Sequence, residues 1–165
     1  AGSPTLVDCE LVVASPGRTK PGASNRPDQA PVPTHALRIS GAGVSPLIAG
    51  CALQGAAGAG VLVDAGASAS LLQCEISGNQ QGGIFLGEST RLRLEACEVS
   101  RNGHFGIVVG PGASTAYLGR TNLSSNTAGG IWHCGGQQTW DATGGQIKQH
   151  PLWLDECSVA AVGAA

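Results

Sequence analysis

The sequence is short of charge, of methionine and of long apolar runs. Charged residues make up 12% of its 165 residues, and the formal net charge is −2. A protein that binds nucleic acid needs a basic stripe or patch, so this composition argues against a nucleic-acid partner. No apolar run approaches the roughly 18 residues of a membrane-spanning helix, so no membrane segment is predicted. Because the sequence begins at Ala1 and has no methionine, we expect a piece of a longer protein.

Glycine, in contrast, is abundant, with 26 residues. Scattered glycines at this level would suggest a disordered chain. Here they recur at fixed offsets from aliphatic residues, which is typical of turns between short strands. The length is that of one domain, spanning residues 1–165.

The chain is built on a repeated phrase. Leu71–Asn79 is followed by a polar turn and Gly83–Leu86, and the pattern returns at Leu94–Asn102 and Gly106–Val109. The cysteines of these two copies lie 23 residues apart. A fixed period in the twenties is the signature of a solenoid.

Three positions of this phrase recur along almost the whole chain, and only Thr121 departs from the pattern. The leading position holds Leu6, Ile48, Leu71, Leu94, Leu118 and Leu154; the cysteine position holds Cys9, Cys51, Cys74, Cys97, Thr121 and Cys157; the third position holds Leu11, Leu53, Ile76, Val99, Leu123 and Val159. A short aliphatic strand completes the repeat at Leu37–Ile39, Val61–Val63, Ile84–Leu86, Ile107–Val109 and Ile131–His133.

Each repeat therefore contains three short strands, since its apolar runs are too short for helices. Coils of about 23 residues stack so that equivalent strands pair in parallel and the inward rows form one core. The sequence predicts an all-β parallel β-helix of about five coils. Two insertions interrupt it, at about residues 14–35 and 135–150; the first is rich in proline and predicts an extended loop.

Five of the six cysteines share one repeat position, so they would stack about 4.8 Å apart on successive coils. That separation permits disulfides, which stay an alternative. Each side chain points inward among aliphatic neighbours, where free cysteine behaves as a small hydrophobe, so we expect a ladder of free thiols. Free thiols favour a reducing, intracellular compartment.

Asn79, Asn102 and Asn126 form a second ladder in the turns after the third position. Asparagine tolerates the left-handed conformation and bonds its own turn backbone. Stacked amides also bond one coil to the next, as in cross-β ladders, so we interpret these residues as structural.

The succession of an asparagine turn, a Gly-Ile-x-Val strand and a Leu-x-x-Cys-x-Ile strand resembles the repeat of right-handed parallel β-helices in the pectin-lyase-like superfold. It is most similar to the β-helix regions of F-box-only-11-like proteins and of related carbohydrate-binding and sugar-hydrolase domains. The resemblance covers residues 6–159 apart from the two insertions and implies a right-handed coil. The superfold contains lyases, hydrolases, epimerases and non-catalytic binding regions, so the resemblance implies the fold and leaves the activity open.

Enzymes of this superfold usually carry acidic, histidine or basic side chains outward on one strand face. The outward row of the short aliphatic strands is Arg38, Leu62, Phe85, Val108 and Trp132. It contains no carboxylate, whereas sugar hydrolysis commonly needs two, about 5 to 9 Å apart. We therefore predict no catalytic residue in this row. The second insertion supplies the weak catalytic candidates, Asp141, Lys148 and His150.

No metal site and no cofactor are predicted. His133 lies beside Cys134, but the further ligand spacing of a zinc site is absent from the sequence. Glu10, Glu75 and Glu98 point outward from the third strand and could hold Ca²⁺ through oxygen ligands. A solvated acidic face is the simpler interpretation of these glutamates.

Leu62, Phe85, Val108 and Trp132 predict an apolar stripe across four coils, and large exposed apolar patches mark interaction sites. Together with Arg38 they form the candidate binding surface, unless the insertions fold over it. The sequence thus favours a non-catalytic interaction or scaffold module that binds another protein or docks in a larger assembly. The alternatives are a fragment of a polysaccharide-active lyase, hydrolase or epimerase, and a carbohydrate-binding module.

Replacing Leu94 by Asp tests the predicted register. If Leu94 points into the stacked core, Leu94→Asp buries a polar group without a partner and lowers the free energy of unfolding by several kcal/mol. The neighbouring change Glu95→Ala, on the outward face, stays within about 0.5 kcal/mol. Thermal melts of the two variants compare them, and equal tolerance would overturn the register.

Overall fold

The computed structural model describes residues 4–7, 9–12, 35–110, 115–133 and 152–159. These residues contain only short strands, and none of them belongs to a helix that is long and apolar enough to cross a membrane. In chain order the strands are β1 (Thr5–Val7), β2 (Glu10–Val12), β3 (Leu37–Ser40), β4 (Leu47–Ala49), β5 (Ala52–Gln54), β6 (Val61–Asp64), β7 (Ser68–Leu72), β8 (Glu75–Ser77), β9 (Ile84–Leu86), β10 (Arg91–Glu95), β11 (Glu98–Ser100), β12 (Phe105–Val109), β13 (Thr115–Gly119), β14 (Asn122–Ser124), β15 (Gly129–His133), β16 (Leu152–Asp155) and β17 (Ser158–Val159).

The strands form three sheets in which every pairing is parallel. Sheet A has the order β1-β4-β7-β10-β13-β16, sheet B has β2-β5-β8-β11-β14-β17, and sheet C has β3-β6-β9-β12-β15. The chain visits sheets C, A and B in turn and then begins the next coil. Four continuous turns separate β3 from β15, and incomplete turns flank them, which confirms the predicted parallel β-helix. The two predicted insertions lie outside the described residues, except for position 35.

The observed register is the one that the repeat predicts. In sheet A, Leu94 pairs with Leu71 on one side and Leu118 on the other. All three are at most 1% exposed. The third position of sheet B and the aliphatic strands of sheet C align in the same way, so each inward row is a continuous stack of aliphatic side chains.

The turn from sheet A to sheet B explains the cysteine position. In the five such turns where the structure describes it, the residue before the cysteine position has a left-handed backbone conformation. The φ angles lie between 46° and 62° at Gly50, Gln73, Ala96, Arg120 and Glu156. The thiols of Cys51, Cys74 and Cys97 then donate to the carbonyl oxygen two residues earlier, at 3.2 to 3.4 Å. Thr121 makes the same bond through its hydroxyl, at 3.0 Å, which is why threonine fits this position.

All five described cysteines are free, and Cys51, Cys74 and Cys97 are buried. The Cys74 and Cys97 thiols lie on neighbouring coils, and each donates to backbone carbonyl oxygens. The neighbouring Cys97 thiol, and then burial, raise the pKa of Cys74. The neighbouring Cys74 thiol lowers the pKa of Cys97 to about 7, although burial opposes this change. Burial is therefore the main protection of these thiols from reagents in water.

The asparagine turns form a continuous side-chain ladder. Asn102 Oδ1 accepts from both the backbone N–H and the Nδ2 of Asn79, at 3.1 and 2.9 Å. Asn126 Oδ1 binds Asn102 in the same way. Each amide nitrogen also donates to a backbone carbonyl oxygen of the preceding coil, at 2.9 to 3.2 Å. The three amides are 1 to 7% exposed, so they satisfy buried turn groups that water does not reach.

The ladder predicts a large cost for replacing its central amide. Asn102→Ala leaves buried donors and acceptors of two coils without partners, at about 1 to 3 kcal/mol for each such group. We expect a loss of several kcal/mol in urea unfolding. Asn122→Ala is the matched control because Asn122 is half-buried on the outer face, and its amide bonds only the side chains of Glu98 and Ser124 among the described residues. A loss at Asn102 no larger than at Asn122 would contradict the structural role.

The cysteine ladder predicts position-dependent alkylation. Cys51, Cys74 and Cys97 are 2 to 3% exposed, whereas Cys9 and Cys157 in the outer coils are half-buried. A small alkylating reagent should modify the inner three only after denaturation and the outer two faster. Peptide mass spectrometry resolves the five sites. Rapid labelling of the inner thiols in the folded protein, or a mass that shows bridges, would contradict the ladder of free thiols.

Candidate functional site

The outer face of sheet C carries the row that the sequence singles out. The strand register places Arg38, Leu62, Phe85, Val108 and Trp132 side by side on successive coils. Their side chains point away from the core because neighbouring residues of the same strands, such as Val61 and Ile84, are buried, and side chains alternate along a strand. We refer to this row and its immediate neighbours as the sheet C face.

The exposed stripe on this face is shorter than predicted. Trp132 is 45% exposed and Leu62 and Phe85 are half-buried, but Val108 is only 4% exposed. The expectation of a continuous exposed stripe across four coils is therefore wrong at Val108. A valine side chain is short, and larger aromatic side chains stand beside it on this face.

An aromatic stack surrounds Trp132, the exposed large apolar side chain of the sheet C face. The rings of Phe105 and Trp132 are parallel within 10°, with centroids 5.9 Å apart. The rings of His104 and Phe105 form an edge-to-face pair, with centroids 4.8 Å apart and planes at 81°. Stacked and edge-to-face ring pairs of this kind stabilise a protein by more than the apolar area that they bury accounts for. Phe105 lies outside the predicted outward row, so the sequence did not indicate this stack.

Glycine at position 82 lets the neighbouring ring lie against the backbone. A Cβ at Gly82 would lie 3.0 Å from the Phe85 ring and 3.0 Å from the Phe105 carbonyl oxygen. Both distances are shorter than a normal carbon contact, so a larger residue would displace the Phe85 ring. Gly82 thus contributes to the shape of this face.

Asp64 is a charged residue of the sheet C face that the sequence reasoning missed. It is the next outward position after Leu62 in the same strand, and strand alternation could have found it. Its Oδ2 accepts from Nε and Nη2 of Arg38, at 3.2 and 2.8 Å. Its Oδ1 is buried and accepts no hydrogen bond from any residue that the structure describes. The nearby Ser40 hydroxyl, followed by the Arg38 guanidinium, holds the pKa of Asp64 below its usual value.

Asp64 and Arg38 form an ion pair in which the carboxylate stays ionised beside the guanidinium. A general acid needs a proton to give near the working pH, and a lowered pKa keeps Asp64 ionised. Asp64 is also the one described carboxylate in the two outward rows of sheet C, whereas the usual sugar-hydrolysing site uses two. The ion pair connects strands β3 and β6 of neighbouring coils. Its cation, Arg38, remains accessible, with a side chain that is 64% exposed.

Glu75 and Glu98, two outward glutamates of sheet B, accept hydrogen bonds from neighbouring side chains, whereas the side chain of Glu10 lies outside the described part of the structure. Glu75 accepts from Ser77 and from Arg101, at 2.8 and 3.0 Å. Glu98 accepts from Asn122 at 2.8 Å. Among the described residues, no three His, Cys, Asp or Glu side chains lie close enough to hold a metal ion.

Sheet A presents a second group of polar side chains at outward positions, of which the sequence analysis placed only Glu95 outward. Glu95 Oε1 accepts from Nε and Nη2 of Arg120, at 3.1 and 2.8 Å. The guanidinium of Arg93 lies 5.4 Å from the ring centre of Tyr117. Partial burial, followed by the carboxylates of Asp155 and Glu95, raises the pKa of Tyr117. Alternation with the buried Leu92 and Leu94 could have placed Arg93 on this face as well.

The weak catalytic candidates Asp141, Lys148 and His150 lie outside the described residues. The five predicted binding residues do lie together in one row, with the difference in exposure at Val108 given above.

Comparison with known proteins agrees with this architecture. No curated protein sequence matches the chain. Among solved structures, the chain is similar to a double mutant of the periplasmic alginate epimerase AlgG, with a TM-score of 0.52 and 18% sequence identity. The match covers 75% of this chain and 36% of that one, so the chain spans about a third of the epimerase. A family model described as a right handed beta helix region matches residues 32–160. The chain therefore belongs to the right-handed β-helix family.

Proposed function

We propose that the chain is a non-catalytic β-helix module that binds a protein partner through the sheet C face. The observation that carries the proposal is the aromatic stack of Phe105 and Trp132, in which a large apolar side chain stays 45% exposed. Tryptophan is enriched among the residues that dominate binding energy at protein interfaces. Stacking on Phe105 holds the Trp132 ring in place, so little side-chain entropy is lost on binding.

The surroundings of the stack support a protein partner. Leu62 and Phe85 continue the apolar surface across the neighbouring coils, and Arg38 stands at its end as a cation. An apolar centre with arginine and aromatic residues is the composition typical of an interface core. Rigid β-strands present this surface, so binding requires no folding step.

The state of Asp64 supports a role without catalysis. Its carboxylate is ion-paired with Arg38, and its pKa is lowered. It is therefore a poor proton donor and a weak base at neutral pH. The rival function, a fragment of a polysaccharide-active enzyme, would draw its acids from the insertions or from further chain. The likeness to the alginate epimerase is one of fold, so the activity is tested on alginate directly.

A double replacement tests the binding surface. Phe85→Ala together with Trp132→Ala should weaken the complex with a purified partner by at least about 2 kcal/mol, roughly 30-fold in Kd, if these rings are hot spots. The partner is first identified by crosslinking to the wild-type chain, and calorimetry then gives Kd. Leu47→Ala is the matched control because Leu47 is 42% exposed on sheet A. Its complex should keep the wild-type Kd.

Three outcomes would contradict the proposal. The double variant and Leu47→Ala could weaken the complex equally, which would place the interface elsewhere. The double variant could unfold, which would show that the rings are covered and structural. The wild-type chain could depolymerise or epimerise alginate or pectin and lose this activity on replacement of Asp141 or His150, which would establish the enzyme.

A further inference from the structure

The central asparagine of the ladder, Asn102, is followed by Gly103, and this pair is chemically the most labile of the ladder turns. Asparagine is a thermolabile residue because the nitrogen of the next peptide bond can attack its side-chain amide. Glycine hinders this attack least, since it has no Cβ. The other two ladder asparagines precede larger residues, Gln80 and Thr127. Asn102 is therefore the ladder residue most prone to deamidation once its turn is open.

The fold requires both residues of this pair. The ladder requires Asn102, whose amide bonds the coils on both sides. Gly103 is required because the Gln80 carbonyl group of the preceding coil lies against it. A Cβ at position 103 would lie 2.8 Å from that carbonyl carbon and closer still to its oxygen. A larger residue, which would slow the attack, cannot be placed there without a shift of the backbone.

The folded turn holds both reacting groups in place. The backbone N–H of Gly103 donates to the carbonyl oxygen of Asn79, at 2.8 Å. The Asn102 amide makes four hydrogen bonds, two through Oδ1 and two through Nδ2. The residue is 1% exposed. Because an attack would have to break these bonds together, the reaction requires local opening of the coil.

Once the turn is open, the reaction needs only water. The Gly103 nitrogen loses its proton and attacks Cγ of Asn102. A bond forms between this nitrogen and Cγ, and the bond between Cγ and Nδ2 breaks, so that ammonia leaves with the proton. Water then opens the five-membered imide at either carbonyl carbon, which leaves aspartate or isoaspartate at position 102. Both products carry a carboxylate where the ladder needs an amide.

The carboxylate product does not fit the folded ladder. It has no N–H to donate to the Ile76 carbonyl oxygen or to Asn126 Oδ1. It would also bury a negative charge among oxygen atoms, which is costly without a partner. Isoaspartate in addition lengthens the main chain by one carbon atom. We propose that Asn102 is a deamidation site that the fold keeps closed, and that its modification prevents an opened chain from folding again.

Peptide mass spectrometry after incubation in mildly alkaline buffer tests the protection. Ala65→Asn provides the matched control, because Ala65 is exposed and precedes Gly66 in a turn where both residues have positive φ. An asparagine–glycine pair suits such a turn. In the folded variant, deamidation at position 102 should be at least about a hundredfold slower than at position 65, since only the small open fraction reacts.

The same measurement in urea tests the lability of the pair. Without the fold, positions 65 and 102 should react at rates within about threefold of each other, because the local sequence then sets the rate. Asn102 should react at least about tenfold faster than Asn79 and Asn126 in the same chains, because glycine leaves the attacking nitrogen unhindered.

Refolding yield tests the consequence. The wild-type chain is held in urea in mildly alkaline buffer with a thiol reductant and is then diluted, and size exclusion separates folded from unfolded chains. We expect the folded fraction to decrease in step with deamidation at Asn102, and the modified residue to be enriched at least about tenfold in the unfolded fraction. The same treatment in mildly acidic buffer should preserve the yield, because the Gly103 nitrogen then keeps its proton.

Three results would overturn the proposal. Equal rates at positions 65 and 102 in the folded variant would show that the turn gives no protection. Reaction at Asn102 no faster than at Asn79 or Asn126 in urea would show that the pair is not labile. Deamidated chains that refold as well as unmodified ones would show that the ladder tolerates the carboxylate.

Discussion

No coil of this protein can bury its own aliphatic side chains, and every other feature depends on that constraint. Each coil contributes only a few inward residues, and they become a core only when the coils above and below cover them. Parallel pairing with identical register keeps like residues in contact along the axis, so Leu94 meets Leu71 and Leu118. The outer faces are then free to vary, because they contribute little to this stack.

The turns restrict the backbone conformation more than the strands do, because the chain must pass from one sheet to the next within a few residues. Residues in the left-handed conformation, such as Gln73 and Ala96, turn the chain from sheet A to sheet B. The cysteine that follows supplies both a small apolar surface and a weak donor for the carbonyl group in the turn. Thr121 shows that the donor matters as much as the sulfur, since its hydroxyl fulfils the same role.

The sequence predicted the interior of this protein far better than its surface. Inward positions follow from the 23-residue period alone, since stacking leaves each position only one environment. Exposure on the outer faces depends on the sizes of adjacent side chains, which the period does not contain. Val108 is buried for this reason although it points outward. Asp64 and Arg93 lie outside the repeat positions that define the phrase, at further outward positions that strand alternation gives to each sheet.

The asparagine ladder gives the solenoid a direction along its axis. Every Oδ1 in the row accepts from the coil before it, so the amide dipoles of Asn79, Asn102 and Asn126 are aligned and strengthen one another. The two ends of the row are chemically different. At the first end, Asn79 Oδ1 accepts from the backbone N–H of Ala56, so the coil before the row needs no asparagine side chain. Growth of the row past Asn126 needs an acceptor in the added coil, so a coil before the row can lack an acceptor side chain, whereas a coil after it must supply one.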